Sequence, residues 1–289
     1  CSYCINDFYH NLYKDKGKYI MRRYSIERII AELKHLKTKY NLEFMKFFDE
    51  DFLMRPIENL RELSDMYRRE VNLPFAIETN PSSFTEEKVE LLKNMNCASA
   101  SLGGETGDLE LRKQLLHRVD SETDIVNAFA LLHKAGIRTS SFNMLGLPFE
   151  SRETYEKTVE LNRKANPQYP FASFFYPFEG TELREESIKK GLFDPEVNET
   201  LVLRYDKPAL HFSNLTEQEL LEMQKVFVLY IKLPREYESF IRRSETLDTV
   251  GIELRKKLLE IYDKTVWDND GHYIDDGFKD NYLKELNEI

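Results

Sequence analysis

Apolar positions along the chain alternate between a helical and a strand-like period. Residues 6–23 are polar and aromatic, contain Gly17 and show no sustained period, so they read as a loop. From there Ile26, Ile29, Ile30, Leu33 and Leu36 recur at spacings of three and four, with Ser25 placed to cap the first turn. This predicts an amphipathic helix ending near Tyr40. Leu42, Phe44, Phe47 and Phe48 then form a short apolar segment closed by Asp49, Glu50 and Asp51. It reads as a buried strand with acids at its carboxyl end.

The same alternation repeats. A helix over residues 56–70 precedes a strand over 73–77 that runs out into Glu78-Thr79-Asn80. A helix over 85–95 precedes a small-residue strand over 97–102, followed by Gly103-Gly104-Glu105. Ser121 to Asp124 has the spacing of a capping box, and the helix it opens is closed by Gly136. A strand over 137–145 ends in Gly146-Leu147-Pro148, a helix covers 154–164, and a final strand covers 171–176. Beyond Thr181 the alternation stops. A capping box at Thr216 to Glu219 opens a helix, and helical patterns follow over 234–243 and 247–264. The residues from Trp267 on are rich in Asp, Asn and Gly and read as poorly ordered. No sequence repeat of 20 to 50 residues is visible beyond the strand-helix period itself.

Strands alternating with helices of this length predict parallel βαβ units with right-handed crossovers. Five strands fall after residue 40, and a sixth is expected ahead of Cys1. Pattern alone leaves a doubly wound sheet and a barrel both open. Either architecture puts its site at the carboxyl ends of the strands. Asp49, Glu78, Glu105, Asn143 and Tyr176 stand at or beside those ends.

Composition narrows the partners. With 289 residues, 41% of them hydrophobic, the chain can bury a large core. A net charge of -10 with no basic block argues against nucleic acid as a partner. No apolar run approaches the ~20 residues needed to span a membrane. The three cysteines do not form an even secreted framework, and the Lys- and Glu-rich composition suits a reducing, cytoplasmic setting. The chain opens on Cys instead of Met and shows no signal peptide, as expected of a fragment of a longer protein.

Candidate chemistry centres on Cys1-Ser2-Tyr3-Cys4. A CxxC alone serves zinc ribbons, thioredoxin-like redox centres and iron-sulfur clusters. A tetrahedral zinc site is disfavoured, because no second CxxC, CxxH or HxxxH completes it. Cys97 opens an apolar strand and reads as a small buried hydrophobe. The six histidines form no ligand pair.

CSYC resembles the second half of the CxxxCxxC motif of the radical S-adenosylmethionine superfamily, in its cobalamin-binding type, including the aromatic Tyr3 before the last cysteine. Arg22 to Glu27 with Ile30-Ala31-Glu32 looks like the family's first helix, and Phe47 to Phe52 like its second strand end. Gly103-Gly104-Glu105-Thr106-Gly107 resembles the GxE[ST]G segment after the fourth strand. Gly146 to Glu150 resembles the fifth-strand GlPxE signature, and Tyr176 to Leu183 the sixth-strand segment. The ordered set spans about residues 1 to 183. Two departures stand out. The first cluster cysteine is absent, and the GGE that many members carry after the second strand is replaced by Phe48-Asp49-Glu50-Asp51.

The resemblance implies a partial (β/α)6 TIM-like barrel over residues 1–183 that lacks its first strand, and a mostly helical extension over 184–289. It implies a 4Fe-4S cluster with Cys1 and Cys4 as two of three thiolates, the first ligand lying upstream, and an open iron that S-adenosylmethionine chelates. Reductive cleavage would then give a 5'-deoxyadenosyl radical, the protein supplying placement and exclusion of water. By the same resemblance Tyr3 and Gly146 line the cofactor, Glu105 approaches its methionine or ribose part and Arg118 its carboxylate, while Asp49, Glu78 and Asn143 are candidates to line it by their places at the strand ends. Phe175 and Tyr176 close over the adenine. The implied partners are a small-molecule or peptide substrate and an electron donor such as flavodoxin or ferredoxin. Cobalamin would come through an upstream domain and make radical methyl transfer the reaction. The alternatives are a methylthiotransferase-like or porphyrin-oxidising enzyme, and a degenerate barrel kept for binding. An acidic balance without a basic RNA-binding module stands against the first of these.

Overall fold

The computed structural model describes residues 1–13, 23–196, 207–212, 214–267, 273–274 and 282–289. Five parallel strands form one sheet: β1 (Met45–Lys46), β2 (Phe75–Thr79), β3 (Cys97–Glu105), β4 (Arg138–Leu145) and β5 (Tyr169–Phe174). Their order in space is their order in the chain, β1-β2-β3-β4-β5. A doubly wound sheet reverses order at a switch point, and here no reversal occurs. Right-handed crossovers in one direction put the connecting helices on one face. The result is a curled half-barrel, a partial barrel of the kind the family resemblance implies.

The helices begin and end where local chemistry dictates. The helix α1 (Ile5–Tyr13) leaves the cysteine turn, and α2 (Ile26–Tyr40) leads to β1. Ser25 Oγ accepts from the Arg28 N–H at 3.3 Å, and Asn41 ends α2 in the left-handed region at φ 50°. Between successive strands lie α3 (Ile57–Glu70), α4 (Glu86–Asn94), α5 (Glu122–Lys134) and α6 (Arg152–Ala165). The capping box at Ser121 is formed with Asp124, and Gly136 takes φ +73° behind α5. A short α7 (Glu182–Lys189) follows β5. The remaining helices are α8 (Glu217–Lys232), α9 (Glu238–Arg243), α10 (Thr249–Val266) and α11 (Leu283–Asn287).

Strand alternation sorts the side chains. Phe75, Ile77 and Thr79 of β2 are buried toward the helices, while Ala76 and Glu78 are half-buried on the other face. The first three strands and α2 to α5 share one core that includes Leu60, Tyr67, Phe75, Leu92 and Phe129. Leu145 and Phe174 at the ends of β4 and β5 instead join a core built from α6, α8, α9 and α10. Tyr155 of α6 donates from its buried hydroxyl to the Met223 carbonyl of α8 at 3.0 Å. The C-terminal helices thus complete the outer layer over the last two strands. The boundary expected at residue 183 falls inside α7.

Three expectations are corrected. Residues 6–13 are helical within α1, because Ile5, Phe8, Tyr9, Leu12 and Tyr13 repeat at helical spacing over two turns. The rest of that expected loop, 14–22, lies outside the described residues. Helix α7 is present where the alternation was expected to stop. Its polar sequence buries little beyond Leu183, Arg184 and Ser187, so hydrophobic periodicity gives no signal. Near the C-terminus Trp267 pairs with Tyr273 and residues 283–287 form α11. Residues 268–272 and 275–281 of that expected disordered tail lie outside the described residues.

Candidate active site

The carboxyl end of β3 is where the buried polar side chains gather. Between Gly103 and Glu105 the pairing of β3 with β4 shifts register, and Glu105 itself sits in the left-handed region at φ 56°. A bulge of this kind re-aims a side chain. Here it delivers the Glu105 carboxylate to Tyr3 and Arg118. The Tyr3 hydroxyl donates to Glu105 Oε1 at 3.0 Å, and Arg118 Nη1 donates to the same oxygen at 3.1 Å. Arg118 Nη1 also donates to the Tyr3 oxygen at 3.3 Å, and Nη2 to the Gly103 carbonyl at 3.0 Å. Oε2 of Glu105 accepts no hydrogen bond from the described residues.

Two side chains that sequence reasoning passed over hold this cluster in place. Asp120 accepts from Arg118 Nε at 2.9 Å, and its Oδ1 is buried without a hydrogen-bond partner. Arg112 is buried and donates through Nε to the Thr106 carbonyl at 3.1 Å. Both stand in the aperiodic stretch between β3 and α5, which forms a short π-type turn over Leu111–Leu115. Two acids and two guanidiniums balance in charge, so the cluster can stay buried. Burial pushes the Glu105 carboxyl above its ordinary range, against the pull of Arg118. Burial alone would lower Arg118, but Glu105, Tyr3 and Asp120 together hold it above its ordinary value.

The segment after Glu105 is pinned to α6. Gly107 N–H donates to Thr158 Oγ1 at 2.9 Å, and Asp108 accepts from Lys157 Nζ at 2.9 Å. A Cβ on Gly107 would run into the Lys157 carbonyl, so only glycine permits this approach.

The cysteine turn is docked on the same place. Cys4 N–H donates to the Cys1 carbonyl at 3.1 Å, which closes the turn. Ser2 is buried, its Oγ donating to the Leu115 carbonyl at 2.5 Å and its N–H to the Leu116 carbonyl at 3.2 Å. The Leu183 N–H of α7 donates to the Ser2 carbonyl at 2.9 Å. Cys1 is exposed and Cys4 half-buried, and both are free thiols. No group of three or more His, Cys, Asp or Glu side chains suited to a metal occurs among the described residues. Cys97 is buried apart from this turn, and burial pushes its thiol up to about 12.

The other candidate residues are distributed around this centre. Asp49, beyond β1, pairs with Arg55 at 3.0 Å, and Glu78 pairs with Lys46 at 2.6 Å. Asn143 lies at the register position opposite Glu105, but its side chain goes to α6. It accepts from Asn162 Nδ2 at 2.8 Å and donates to the Phe171 carbonyl at 2.9 Å and to Ser141 Oγ at 3.1 Å. Its NH2 group is shared between the Phe171 carbonyl and Ser141, and its Oδ1 takes one hydrogen bond, from Asn162.

Gly146 turns at φ +72° after β4. The Gly146 and Leu147 N–H groups both donate to Glu150 Oε2, the latter at 3.2 Å. Glu150 is buried, its Oε1 has no partner, and burial pushes it up to about 8 against the two backbone donors. Its position as the last letter of the Gly146 to Glu150 signature was the available signal. Phe175 is buried among Leu147, Met144 and Leu183, with Tyr3 packed on the same cluster. Tyr176 is half-buried with its ring 5.2 Å from that of Phe178.

Comparison with known proteins places this arrangement. The sequence profile of the Radical SAM superfamily matches residues 1–161. An uncharacterized methyltransferase of Pyrococcus horikoshii is 20% identical over 220 residues, covering 74% of this chain and 46% of the relative. The oxygen-independent coproporphyrinogen III oxidase of Helicobacter pylori is 24% identical over 219 residues, covering 71% of this chain and 46% of the oxidase. The chain thus spans about half the length of either relative. Among solved structures, the radical S-adenosylmethionine methyltransferase TsrM of Kitasatospora setae, with cobalamin and a 4Fe-4S cluster bound, superposes with a TM-score of 0.52. It shares 19% identity and covers 58% of this chain and 32% of its own, a likeness of fold.

Proposed function

Because the chain belongs to the Radical SAM superfamily, we propose that it is the core of an enzyme that cleaves S-adenosylmethionine reductively at the strand ends described above. The observation that carries this reading is the docking of the Cys1-Ser2-Tyr3-Cys4 turn onto Glu105 and Arg118 at the end of β3. A family match says that a cysteine motif is present. The hydrogen bonds put it beside the acid and base that a zwitterionic cofactor needs.

Cys1 and Cys4 would hold two irons of a 4Fe-4S cluster, and a cysteine four positions before Cys1 would supply the third thiolate. When bound, the reduced cluster supplies the electron that breaks the sulfonium C5'–S bond and leaves a 5'-deoxyadenosyl radical. The chain's own residues bind and orient. Glu105 offers Oε2 to a hydroxyl or ammonium donor, while Oε1 stays with Tyr3 and Arg118. Arg118 keeps its positive charge beside the site and favours a carboxylate there. The corner at Gly146 and Leu147 is held from behind by Glu150, which leaves an apolar wall with Phe175 and Met144. Such a wall excludes water from a reactive intermediate.

The substrate is a small molecule or a peptide, and a flavodoxin or ferredoxin would deliver the electron. Methyl transfer with cobalamin bound by another domain is the favoured subtype, on the methyltransferase relative and the TsrM likeness. No described residue is assigned to cobalamin, and no step is drawn through it. The coproporphyrinogen oxidase relative, with similar coverage, supports oxidation of a porphyrin-type substrate as the second reading.

The test requires a protein in which a cysteine stands four positions before Cys1. Anaerobic iron-sulfur reconstitution should give a cluster absorbance, and dithionite with S-adenosylmethionine should give 5'-deoxyadenosine. Cys4→Ala should abolish both. No cluster and no product from the unsubstituted protein would overturn the proposal in favour of a barrel retained for binding.

A further inference from the structure

We propose that Tyr3 is a positioning residue whose hydroxyl latches the cysteine turn to the end of β3 and so sets where Cys4 is presented. This rests on the cluster reading above for its consequence, though not for its geometry. The turn is attached by two independent devices. Ser2 fixes its backbone, with hydrogen bonds to the carbonyls of Leu115 and Leu116 and from the Leu183 N–H. Tyr3 fixes its side-chain face, with the hydroxyl held between Glu105 Oε1 at 3.0 Å and Arg118 Nη1 at 3.3 Å.

The arrangement is a triangle. Arg118 Nη1 reaches both Glu105 Oε1 and the Tyr3 oxygen, so the phenol donates to the acid and accepts from the base. Both partners are themselves immobilised, Glu105 by the bulged backbone of β3 and Arg118 by Asp120 and the Gly103 carbonyl. A hydroxyl in that position has no freedom to rotate away. The Tyr3 ring also packs on the apolar cluster of Leu115, Phe175 and Leu183, so loss of the hydroxyl alone leaves the ring seated. Since Cys4 follows Tyr3 directly, any swing of the Tyr3 side chain and its backbone carries the thiol with it. A latch of this kind makes the two-thiol half-site preformed, which reduces the ordering that ligand binding must supply.

The latch can be read without iron. In the full-length protein, metal-free and reduced, the alkylation rates of Cys1, Cys4 and Cys97 are measured by iodoacetamide labelling with fragment mass spectrometry. Tyr3→Phe removes only the hydroxyl. It should raise the Cys4 rate about tenfold, the ~1.4 kcal/mol expected for one hydrogen bond to charged partners that gates local opening. The thermal midpoint should fall by no more than the few degrees that ~1.4 kcal/mol corresponds to in a chain of this size, and Cys97, buried in a core that Tyr3 does not join, should accelerate less than Cys4. Glu105→Gln keeps an acceptor for the phenol and should stay near the wild-type rate, while Glu105→Ala should match Tyr3→Phe. Equal Cys4 rates in wild type and Tyr3→Phe would overturn the proposal. So would an equal acceleration of Cys97, because that reports general loosening. Cluster formation is scored separately by reconstitution, so a failed latch and a failed cluster reading give different results.

Discussion

Glu150 should make this protein lose stability as the pH rises. The carboxyl is 1% exposed, its Oε2 takes the Gly146 and Leu147 N–H groups, and Oε1 has no partner. No cation is among its hydrogen-bond partners, so burial wins and moves it from 4.5 to about 8. The sign follows from proton binding. Below pH ~4.5 the group is protonated in folded and unfolded chains alike, and nothing is lost. Between there and pH ~8 the unfolded chain releases the proton while the folded chain keeps it, so stability falls by up to ~1.4 kcal/mol per pH unit. Summed over the window this is roughly 3–5 kcal/mol, gone once the pH passes the folded value. Glu150→Gln removes the titration and keeps an oxygen for the two N–H groups. Urea unfolding followed by tyrosine and tryptophan fluorescence, at pH 5 to 8.5, should give similar midpoints at the acid end and a higher midpoint for the variant at the basic end. Curves that superimpose across the range would refute the argument, and would mean that the folded carboxyl ionises normally.

Two further substitutions test how the site is mounted. Gly107→Ala drives a Cβ into the Lys157 carbonyl of α6, which cannot move without breaking the helix, and should cost about 1–3 kcal/mol in unfolding free energy. A thermal midpoint equal to wild type would show that β3 and α6 can part freely there. Asn162→Leu orphans the Asn143 carbonyl and the Ser141 hydroxyl, which donates to Asn162 Oδ1 at 2.6 Å, and should cost about 1–3 kcal/mol for each group left unpaired. A neutral result by chemical denaturation would show that Asn162 does not hold Asn143 and Ser141 in place.

The repeat of strands and helices was legible because each element carried a local signal. Ser25, Ser121 and Thr216 cap the helices that periodicity places after them, and β2 to β5 fall on apolar or small-residue stretches bounded by turn residues. What pattern could not decide was how the units wind, since the same alternation serves an open sheet and a barrel. Strand order decided it, and strand order is a tertiary fact. The cysteine turn, Tyr3, Glu105 and Arg118, which the structure brings together, had each been singled out by the family resemblance. Asp120 and Arg112 were not, because they act on Arg118 and Thr106 through contacts that no period or spacing encodes. Asn143 shows the converse. Its place near a strand end suggested a ligand contact, and no sequence signal announced the hydrogen bonds it makes to Asn162 of α6 and the Phe171 carbonyl of β5. Facing could be worked out from sequence only with the register known, and the bulge between Gly103 and Glu105 changes that register where it matters.

That bulge also explains why the buried acids differ in partners. Glu105 is the last residue of β3, and without the shift its side chain would continue the strand's alternation. With the shift and φ 56°, it meets Arg118 and the tyrosine of the cysteine turn. Glu150 lies behind the end of the next strand and meets only backbone N–H groups. The first acid therefore has a counterion beside the thiols, and Arg118 offsets part of the burial that raises its carboxyl. The second has no counterion, so it can only hold the Gly146 corner, and it does so at the expense of stability in alkaline solution. Two carboxylates at adjacent strand ends thus separate into one held in a charged cluster and one held by backbone N–H groups alone, by the partners that the β3 bulge and the β4 turn give them.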